Sequence, residues 1–221
     1  MYSQFHLPNL ELNLPLVNKT ALASVAVADY RNSLFDEELS YFSELGSVER
    51  QQEFSSGRHC VRVCQDLLDH PRRPVPRDQR RPIWQTGLSG SISHTKAVAV
   101  AMLSGYYRSV GLDIEAKDRM GPATPDNLLS RLFTPNEIST LRHSELDNPW
   151  TLAFSAKEAG YKAIYPLGRS YIGFQEVEVI LLPEQRFSFR YCGDNPINRE
   201  LEGGQGYWAI FGEHVLTVFT L

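Results

Sequence analysis

The sequence is poor in cysteine, in long apolar runs and in net charge. Three cysteines occur in 221 residues, and Cys60 and Cys64 stand four apart with no zinc-binding spacing around them. An odd number of cysteines without such spacing argues against a disulfide scaffold and against a zinc site. We therefore expect Cys60, Cys64 and Cys192 to be reduced core or near-core residues of a cytoplasmic protein.

The lack of apolar runs bears on membranes. No run of about 18 or more apolar residues is present, so no membrane span is expected. The first residues, from Met1 to His6, lack the basic start and the apolar core of a signal peptide. A net charge of −4 argues against bulk attraction to nucleic acid.

What is present resembles an ordinary globular protein, with 42% hydrophobic and 22% charged residues. Residue patterns predict a strand over Ala21–Ala28, a helix with Asp36 as its N-cap, and a longer helix over Val48–Leu68. Over the whole chain the predicted order is β–α–α–β–β–α–α–β–β–β–β, which indicates an α+β fold.

Two carboxylates stand two residues apart in the predicted strand Val110–Glu115. Because side chains alternate along a strand, Asp113 and Glu115 share one face, while Leu112 and Ile114 point into a core. Carboxylate oxygens are the ligands that Mg²⁺ prefers in proteins. The alternative is an exposed strand face with two solvated acids.

A predicted helix further along the chain carries more charges that suit this chemistry. Glu158 and Lys162 are four apart and share a helix face. Glu158 can complete a three-carboxylate metal site, and Lys157 and Lys162 can hold phosphate oxygens as point charges. The alternative is an ordinary ion pair on a solvated helix. Gly160 inside this helix suggests close packing.

The stretch Gly90–His94 is predicted to be a small, hydroxyl-rich turn whose groups can bind a phosphate. A buried strand over Ala97–Leu103 and a returning strand over Ser109–Glu115 would form a hairpin. Such a hairpin would bring the turn close to the two carboxylates.

Arginines are distributed unevenly. Arg50 and Arg58 are eight residues apart on the long helix and lie roughly on one side of it, where they either bind a ligand or face solvent. A Pro-rich segment can meet a phosphate-rich ligand or an acidic partner, or it can be a solvated basic loop. Its arginines are Arg72, Arg73, Arg77, Arg80 and Arg81.

These motifs occur together in one order. The stretches Ser91–His94, Gly111–Glu115 and Phe154–Ala163 resemble the Sfp-type 4′-phosphopantetheinyl transferases, and most of all their EntD-like branch. The stretch Arg50–Arg62 resembles the helix signature of that branch. The resemblance extends from about residue 45 to the end of the sequence.

The resemblance implies transfer of phosphopantetheine from coenzyme A to a serine of an apo acyl or peptidyl carrier protein, with release of 3′,5′-ADP. Siderophore, non-ribosomal-peptide and polyketide synthesis are the systems it suggests. It implies two similar α/β halves, residues 1–108 and 109–221, in one structural unit with the site between them. It also implies a cytoplasmic monomer that uses Mg²⁺, with Mn²⁺ as an alternative.

The resemblance also implies roles for individual residues. The implied metal ligands are Asp113, Glu115 and Glu158. The implied catalytic residues are Asp113, Glu158 and Lys162. The implied coenzyme A contacts are Arg50, Arg58, Arg80, Ser93, His94, Lys157 and Lys162.

Three points stay open at this level. Arg81 is the alternative register for Arg80, and Glu158 serves as metal ligand, general base or both. A Mg²⁺-dependent nucleotide phosphohydrolase, and a non-catalytic module that binds coenzyme A or a carrier protein, are the alternative functions.

Overall fold

The structure, a computed structural model, describes residues 17, 19–78, 81–121, 123–169 and 171–221, and the backbone of Gln4–His6. The chain forms two compact units, Met1–Val110 and Gly111–Leu221. The resemblance implies a division between residues 108 and 109. Helices and antiparallel strands occur in both units, so the predicted α+β class is confirmed. None of the described helices combines the length and apolar character that a membrane crossing requires.

The N-terminal unit packs the longer of its two helices against a sheet, with a small apolar core between them. The sheet has the strand order β1-β2-β6-β5, and β3 pairs with β4 alone. The elements of this unit are β1 (Gln4–His6), β2 (Thr20–Ala26), α1 (Asp36–Glu44), α2 (Val48–Leu67), β3 (Arg77–Asp78), β4 (Arg81–Pro82), β5 (Ser89–His94) and β6 (Val98–Ser104).

Helix α2 lies directly against this sheet. Gly57 permits the close approach, because a Cβ there would stand 2.8 Å from the Ile92 side chain. Cys60 and Cys64 are buried on the same face, and their thiols donate to the carbonyls of strand β6 at 3.3 Å. Their predicted places in the core are confirmed. Cys192 is exposed, so its predicted burial is wrong.

The start of α1 differs from the prediction. Asp36 is the first helical residue and Phe35 holds the N-cap position, so the assignment of Asp36 as N-cap is wrong. The Glu38 carboxylate, two residues into the helix, accepts a hydrogen bond from the Phe35 backbone N–H at 3.0 Å. The glutamate at the third helical position therefore satisfies the backbone N–H of the N-cap residue itself, which the N-cap side chain does not reach.

The predicted turn at Gly90–His94 is instead a strand. Strand β5 pairs antiparallel with β6, and the chain reverses at Thr95, whose hydroxyl accepts from the N–H groups of Ala97 and Val98 at 3.2 Å. Strand β7 (Val110–Ala116) belongs to the other sheet, so the predicted hairpin between β6 and β7 is wrong. The turn at Thr95 therefore closes a hairpin of β5 with β6, in place of the predicted hairpin of β6 with β7.

The C-terminal unit is a five-stranded sheet, in the order β7-β11-β10-β9-β8, packed against helices. After β7 the elements are α3 (Asp126–Leu132), α4 (Pro135–Arg142), α5 (Pro149–Gly168), β8 (Val177–Leu182), β9 (Arg186–Tyr191), β10 (Gln205–Phe211) and β11 (His214–Thr220).

Candidate active site

Strand β7 and helix α5 meet at Gly111. A Cβ at this position would stand 1.8 Å from the Ala159 carbonyl oxygen and 2.7 Å from the Ala163 nitrogen. Only glycine fits between the two backbones. Because side chains alternate along a strand, Asp113 and Glu115 point to the same α5-facing side as Gly111, as their spacing predicts. Leu112 and Ile114 are buried on the opposite side.

Asp113 is held by two groups of α5. The Ser155 hydroxyl donates to its Oδ2 at 2.9 Å, and the Lys162 ammonium donates to its Oδ1 at 2.7 Å. Lys162 also donates to the Leu112 carbonyl at 3.1 Å. Only 4% of Asp113 is exposed, so its charge depends on these partners. The sequence assigns no role to Ser155, which lies seven residues, two helical turns, before Lys162.

Glu115 and Glu158 add negative charge beside Asp113. Burial and the charge of Asp113 raise the pKa of Glu115 to about 7, although Arg119, 3.2 Å away, opposes this shift. Burial also raises the pKa of Glu158, and the charge of Asp113 adds to the shift while Lys162 opposes it. The site therefore has more buried negative charge than its two cations balance.

This donor set suits a hard divalent cation. Three carboxylates offer oxygen ligands, and Lys162 and Arg119 now supply part of the positive charge that an ion would bring. Across residues 17, 19–78, 81–121, 123–169 and 171–221, no three His, Cys, Asp or Glu side chains are grouped closely enough to hold a metal ion. The predicted ligands Asp113, Glu115 and Glu158 are thus electrostatic neighbours without a ready-made coordination shell.

Lys157 does not share this site. Its ammonium group donates to Glu137 at 2.7 Å and to the carbonyls of Leu132 and Phe174 at 2.9 and 2.7 Å. An ammonium has three hydrogens, so these acceptors use all of them. The side chain is 1% exposed. The structure therefore does not support Lys157 as a phosphate ligand, and its position beside Glu158 in the sequence is no guide to its direction.

A second group of predicted residues surrounds a cavity of ≈ 400 Å³ in the N-terminal unit. Arg50, Arg58 and His94 all line it, as does Arg77 from the Pro-rich segment. Its apolar walls come from Tyr41, Leu45, Phe54, Pro82 and Ile92. Three arginines and one glutamate, Glu53, give the cavity a positive balance that suits a phosphate-bearing ligand.

The cavity arginines are held by aromatic rings and carboxylates. Arg58 lies 4.6 Å from the Phe54 ring centre, and Arg77 lies 3.8 Å from that of Tyr41. Arg50 donates to Glu53 at 3.2 Å, and the same carboxylate stands 3.8 Å from His94 Nδ1. The sequence alone leaves Arg77 undecided, and Tyr41 carries no sequence signal that would single it out.

Two predicted coenzyme A contacts fall elsewhere. Ser93 lies on the face of β5 opposite to Ile92 and His94, and it is not among the residues that line this cavity. Arg80 lies outside the described residues. Its alternative, Arg81, pairs with Asp78 at 2.9 Å.

Two models of known protein families match this chain, one in each compact unit. The model of the 4′-phosphopantetheinyl transferase superfamily matches residues 109–218, and that of the 4′-phosphopantetheinyl transferase N-terminal domain matches residues 45–104. These two ranges include β7 and α5 in one case, and α2 and β5 in the other.

Named relatives cover most of the chain. The 4′-phosphopantetheinyl transferase PptT of Mycobacterium tuberculosis is 32% identical over 186 residues, 79% of this chain and 80% of the relative. The 4′-phosphopantetheinyl transferase Svp of Streptomyces mobaraensis is 32% identical over 184 residues, 80% of this chain and 74% of the relative. Enterobactin synthase component D of Escherichia coli O157:H7 is 30% identical over 173 residues, 76% of each chain. Similarity of this extent confirms the predicted family: the chain belongs to the 4′-phosphopantetheinyl transferases.

Proposed function

We propose that this enzyme transfers 4′-phosphopantetheine from coenzyme A to a serine of an apo acyl or peptidyl carrier protein and releases 3′,5′-ADP. One observation carries the proposal within the family. Asp113, Glu115, Glu158 and Lys162 face one another across the contact of β7 with α5. Relatives named as enterobactin synthase components support siderophore synthesis as one setting.

Asp113, Glu115 and Glu158 are the residues that would hold Mg²⁺, or Mn²⁺ in its place. A bound Mg²⁺ would neutralise the charge that develops on the pyrophosphate of coenzyme A during transfer. Without the ion, Lys162 and Arg119 reduce the repulsion among the carboxylates. The Ser155 hydrogen bond fixes the direction of the Asp113 carboxylate.

Lys162 and Glu158 act on the substrates. Lys162 carries a partly exposed ammonium group, which stabilises oxygens of the leaving 3′,5′-ADP. Glu158 accepts the proton of the carrier serine, since its raised pKa brings it closer to the neutral range in which a general base works best. The nucleophile belongs to the carrier protein, so a Ser-His-Asp triad is not needed in this chain.

The cavity of the N-terminal unit binds the phosphates of coenzyme A. Arg58 forms its base, and Arg50, Arg77 and His94 stand around it. Guanidinium groups match phosphate oxygens in both charge and geometry. The apolar walls suit the adenine ring.

Intact-protein mass spectrometry tests the proposal. One apo acyl carrier and one apo peptidyl carrier are incubated with the enzyme, coenzyme A and Mg²⁺, with an EDTA-treated sample as the control. We expect a gain of one phosphopantetheine arm that EDTA abolishes and Mg²⁺ restores. Cleavage of coenzyme A without modification of any carrier would indicate a phosphohydrolase, and tight binding without cleavage a binding module. The predicted cytoplasmic location and monomeric state stay predictions.

A further inference from the structure

We propose that Glu38 is a positioning residue for coenzyme A binding. It holds Arg58 at the base of the cavity, and it does so while leaving one positive charge there for a phosphate group. This inference rests on the function proposed above. It concerns a residue of helix α1 that no sequence motif points to.

The contacts of Glu38 explain how it can do this. Its Oε1 accepts from the Arg62 guanidinium and from the Val75 backbone N–H, the latter at 2.9 Å. The same oxygen stands 3.5 Å from Arg58 Nε. Its Oε2 accepts from the Phe35 N–H at 3.0 Å. Glu38, Arg58 and Arg62, called the Glu38 cluster below, are all buried.

The cluster is electrically incomplete. Two guanidinium groups share one carboxylate, which leaves one positive charge in a buried place. Arg62 also donates to the Arg73 carbonyl at 2.6 Å and to Gln65 at 3.2 Å, and neither Arg62 nor these acceptors line the cavity. Arg58 lines the cavity and Arg62 does not, although the buried Nε of each has no hydrogen-bond acceptor among the described residues. An anion in the cavity is the group that completes this balance.

Glu38 also joins three walls of the cavity. Helix α1 supplies Tyr41, helix α2 supplies Arg58, and the segment that begins at Val75 leads to Arg77. One carboxylate therefore sets both the direction of a guanidinium and the spacing of the walls around it. Burial lowers the pKa of Arg58 to about 10; the charge of Glu38 opposes this shift, and that of Arg62 adds to it.

The test replaces Glu38 by glutamine and separates binding from turnover. Glu38→Gln keeps the size of the side chain and removes its charge, so the two guanidinium groups repel each other and Arg58 turns from its place. We expect the dissociation constant of coenzyme A, measured by calorimetry on the full chain, to rise about tenfold. The rate at saturating coenzyme A should stay within about twofold of the parent.

Glu137→Gln is the matched control. Glu137 is also a buried glutamate at the third residue of a helix, and it also pairs with a buried cation, but it lies in the C-terminal unit. We expect it to lower the unfolding midpoint without changing the affinity for coenzyme A. If both variants weaken binding equally, or if neither does, Glu38 has no positioning role.

Glu38→Asp guards against a variant that fails to fold. It keeps the charge on a shorter side chain. The contact with Arg58, which is already the longer of the two, should then weaken more than the contact with Arg62. We expect a smaller loss of affinity than in Glu38→Gln; an unchanged affinity overturns the inference.

Arg58→Met distinguishes a failure of the role inferred for Glu38 from a failure of the proposed coenzyme A site. If Arg58→Met weakens binding and the Glu38 variants do not, only the inference fails. If Arg58→Met leaves binding unchanged, the proposed coenzyme A site fails with it.

Discussion

Each compact unit buries a glutamate at the third residue of a helix and pairs it with a buried cation. In the C-terminal unit Glu137 pairs with Lys157, and these two residues are called the Glu137 cluster below. It is closed: Lys157 has three acceptors, and Glu137 also accepts from the N–H groups of Thr134 and Val179 at 2.8 Å. The Glu38 cluster is open, since two arginines share one carboxylate beside a cavity.

The difference teaches which buried charges stabilise the fold and which also serve a ligand. A cation whose donors are all satisfied inside the protein has no capacity left for a substrate. A cation that shares its acceptor at the edge of a cavity has such capacity. By this criterion Lys157 has a structural role alone, while Arg58 has both a structural and a ligand-binding role.

The largest expected effect is on the rate of carrier modification, at Glu158, which follows Lys157 of the Glu137 cluster in the sequence. Glu158→Gln removes a charged oxygen that the reaction needs, so we expect carrier modification to slow by about a thousandfold or more. Urea unfolding should be nearly unchanged, because Glu158 is not part of the closed cluster. Rapid-quench assays at saturating Mg²⁺ measure the rate. A Glu158→Gln enzyme of near-normal rate would exclude Glu158 from both of its proposed roles.

Lys157 should show the reverse pattern. Lys157→Met leaves the Glu137 carboxylate buried without its cation, which costs about 3–5 kcal/mol of unfolding free energy. Urea unfolding followed by tryptophan fluorescence measures this loss. The control on the same helix is Lys162→Met, which should lose the rate and, because Lys162 is partly exposed, lose less stability than Lys157→Met. A stable Lys157→Met variant with weakened coenzyme A binding would return Lys157 to the ligand site.

Arg58 should combine a moderate loss of binding with a smaller loss of stability. Arg58→Met removes a buried cation that faces the cavity, and we expect the dissociation constant of coenzyme A to rise by about 10- to 100-fold. Arg50→Met is the comparison, because the Arg50 side chain is 69% exposed and its ion pair is screened by water. It should change the affinity by less than about fivefold. Equal effects at both positions would contradict the importance of burial.

The smallest and most local expected effect is on the rate at which the three cysteines react with a thiol reagent. Burial raises the pKa of Cys60 to about 12, so at pH 8 its thiolate, the reactive form, is scarce. Cys192 is exposed and should react within minutes, while Cys60 and Cys64 should react only after unfolding. Cys60 lies between the two arginines of the Glu38 cluster in the sequence of α2. If Glu38→Gln only turns Arg58, Cys60 stays protected; rapid labelling would mean that α2 has loosened.

Local pattern is enough to predict much of this fold. The alternation of Gly111, Asp113 and Glu115 indicates the strand and its active face, and the Thr134 capping box indicates the start of α4, with hydrogen bonds of 2.8 and 3.2 Å in the structure. Both features depend on residues close in sequence. Their hydrogen bonds and side-chain directions therefore follow from backbone geometry alone.

Features set by tertiary contacts do not follow from local pattern. Strand β6 pairs with β2 and β5, and local pattern does not decide this choice of partners. The contacts of Glu38 reach Arg62 and Val75, 24 and 37 residues away. Lys157 is a different case. It stands five residues before Lys162, and at about 100° per residue the two point in well-separated directions. Helical geometry is therefore sufficient to assign these two lysines to different surroundings.

The backbone contact at Gly111 sets the distance between β7 and α5. Because main-chain atoms touch there, the gap between Asp113 and Glu158 is set by the backbone and not by the carboxylates themselves. Mg²⁺ and Ca²⁺ differ by about 0.3–0.5 Å in their distances to oxygen, less than one methyl group would add at the contact. Selectivity for the smaller ion would then depend on an atom that residue 111 lacks. A methyl group at residue 111 would force β7 and α5 apart and change the distance between Asp113 and Glu158.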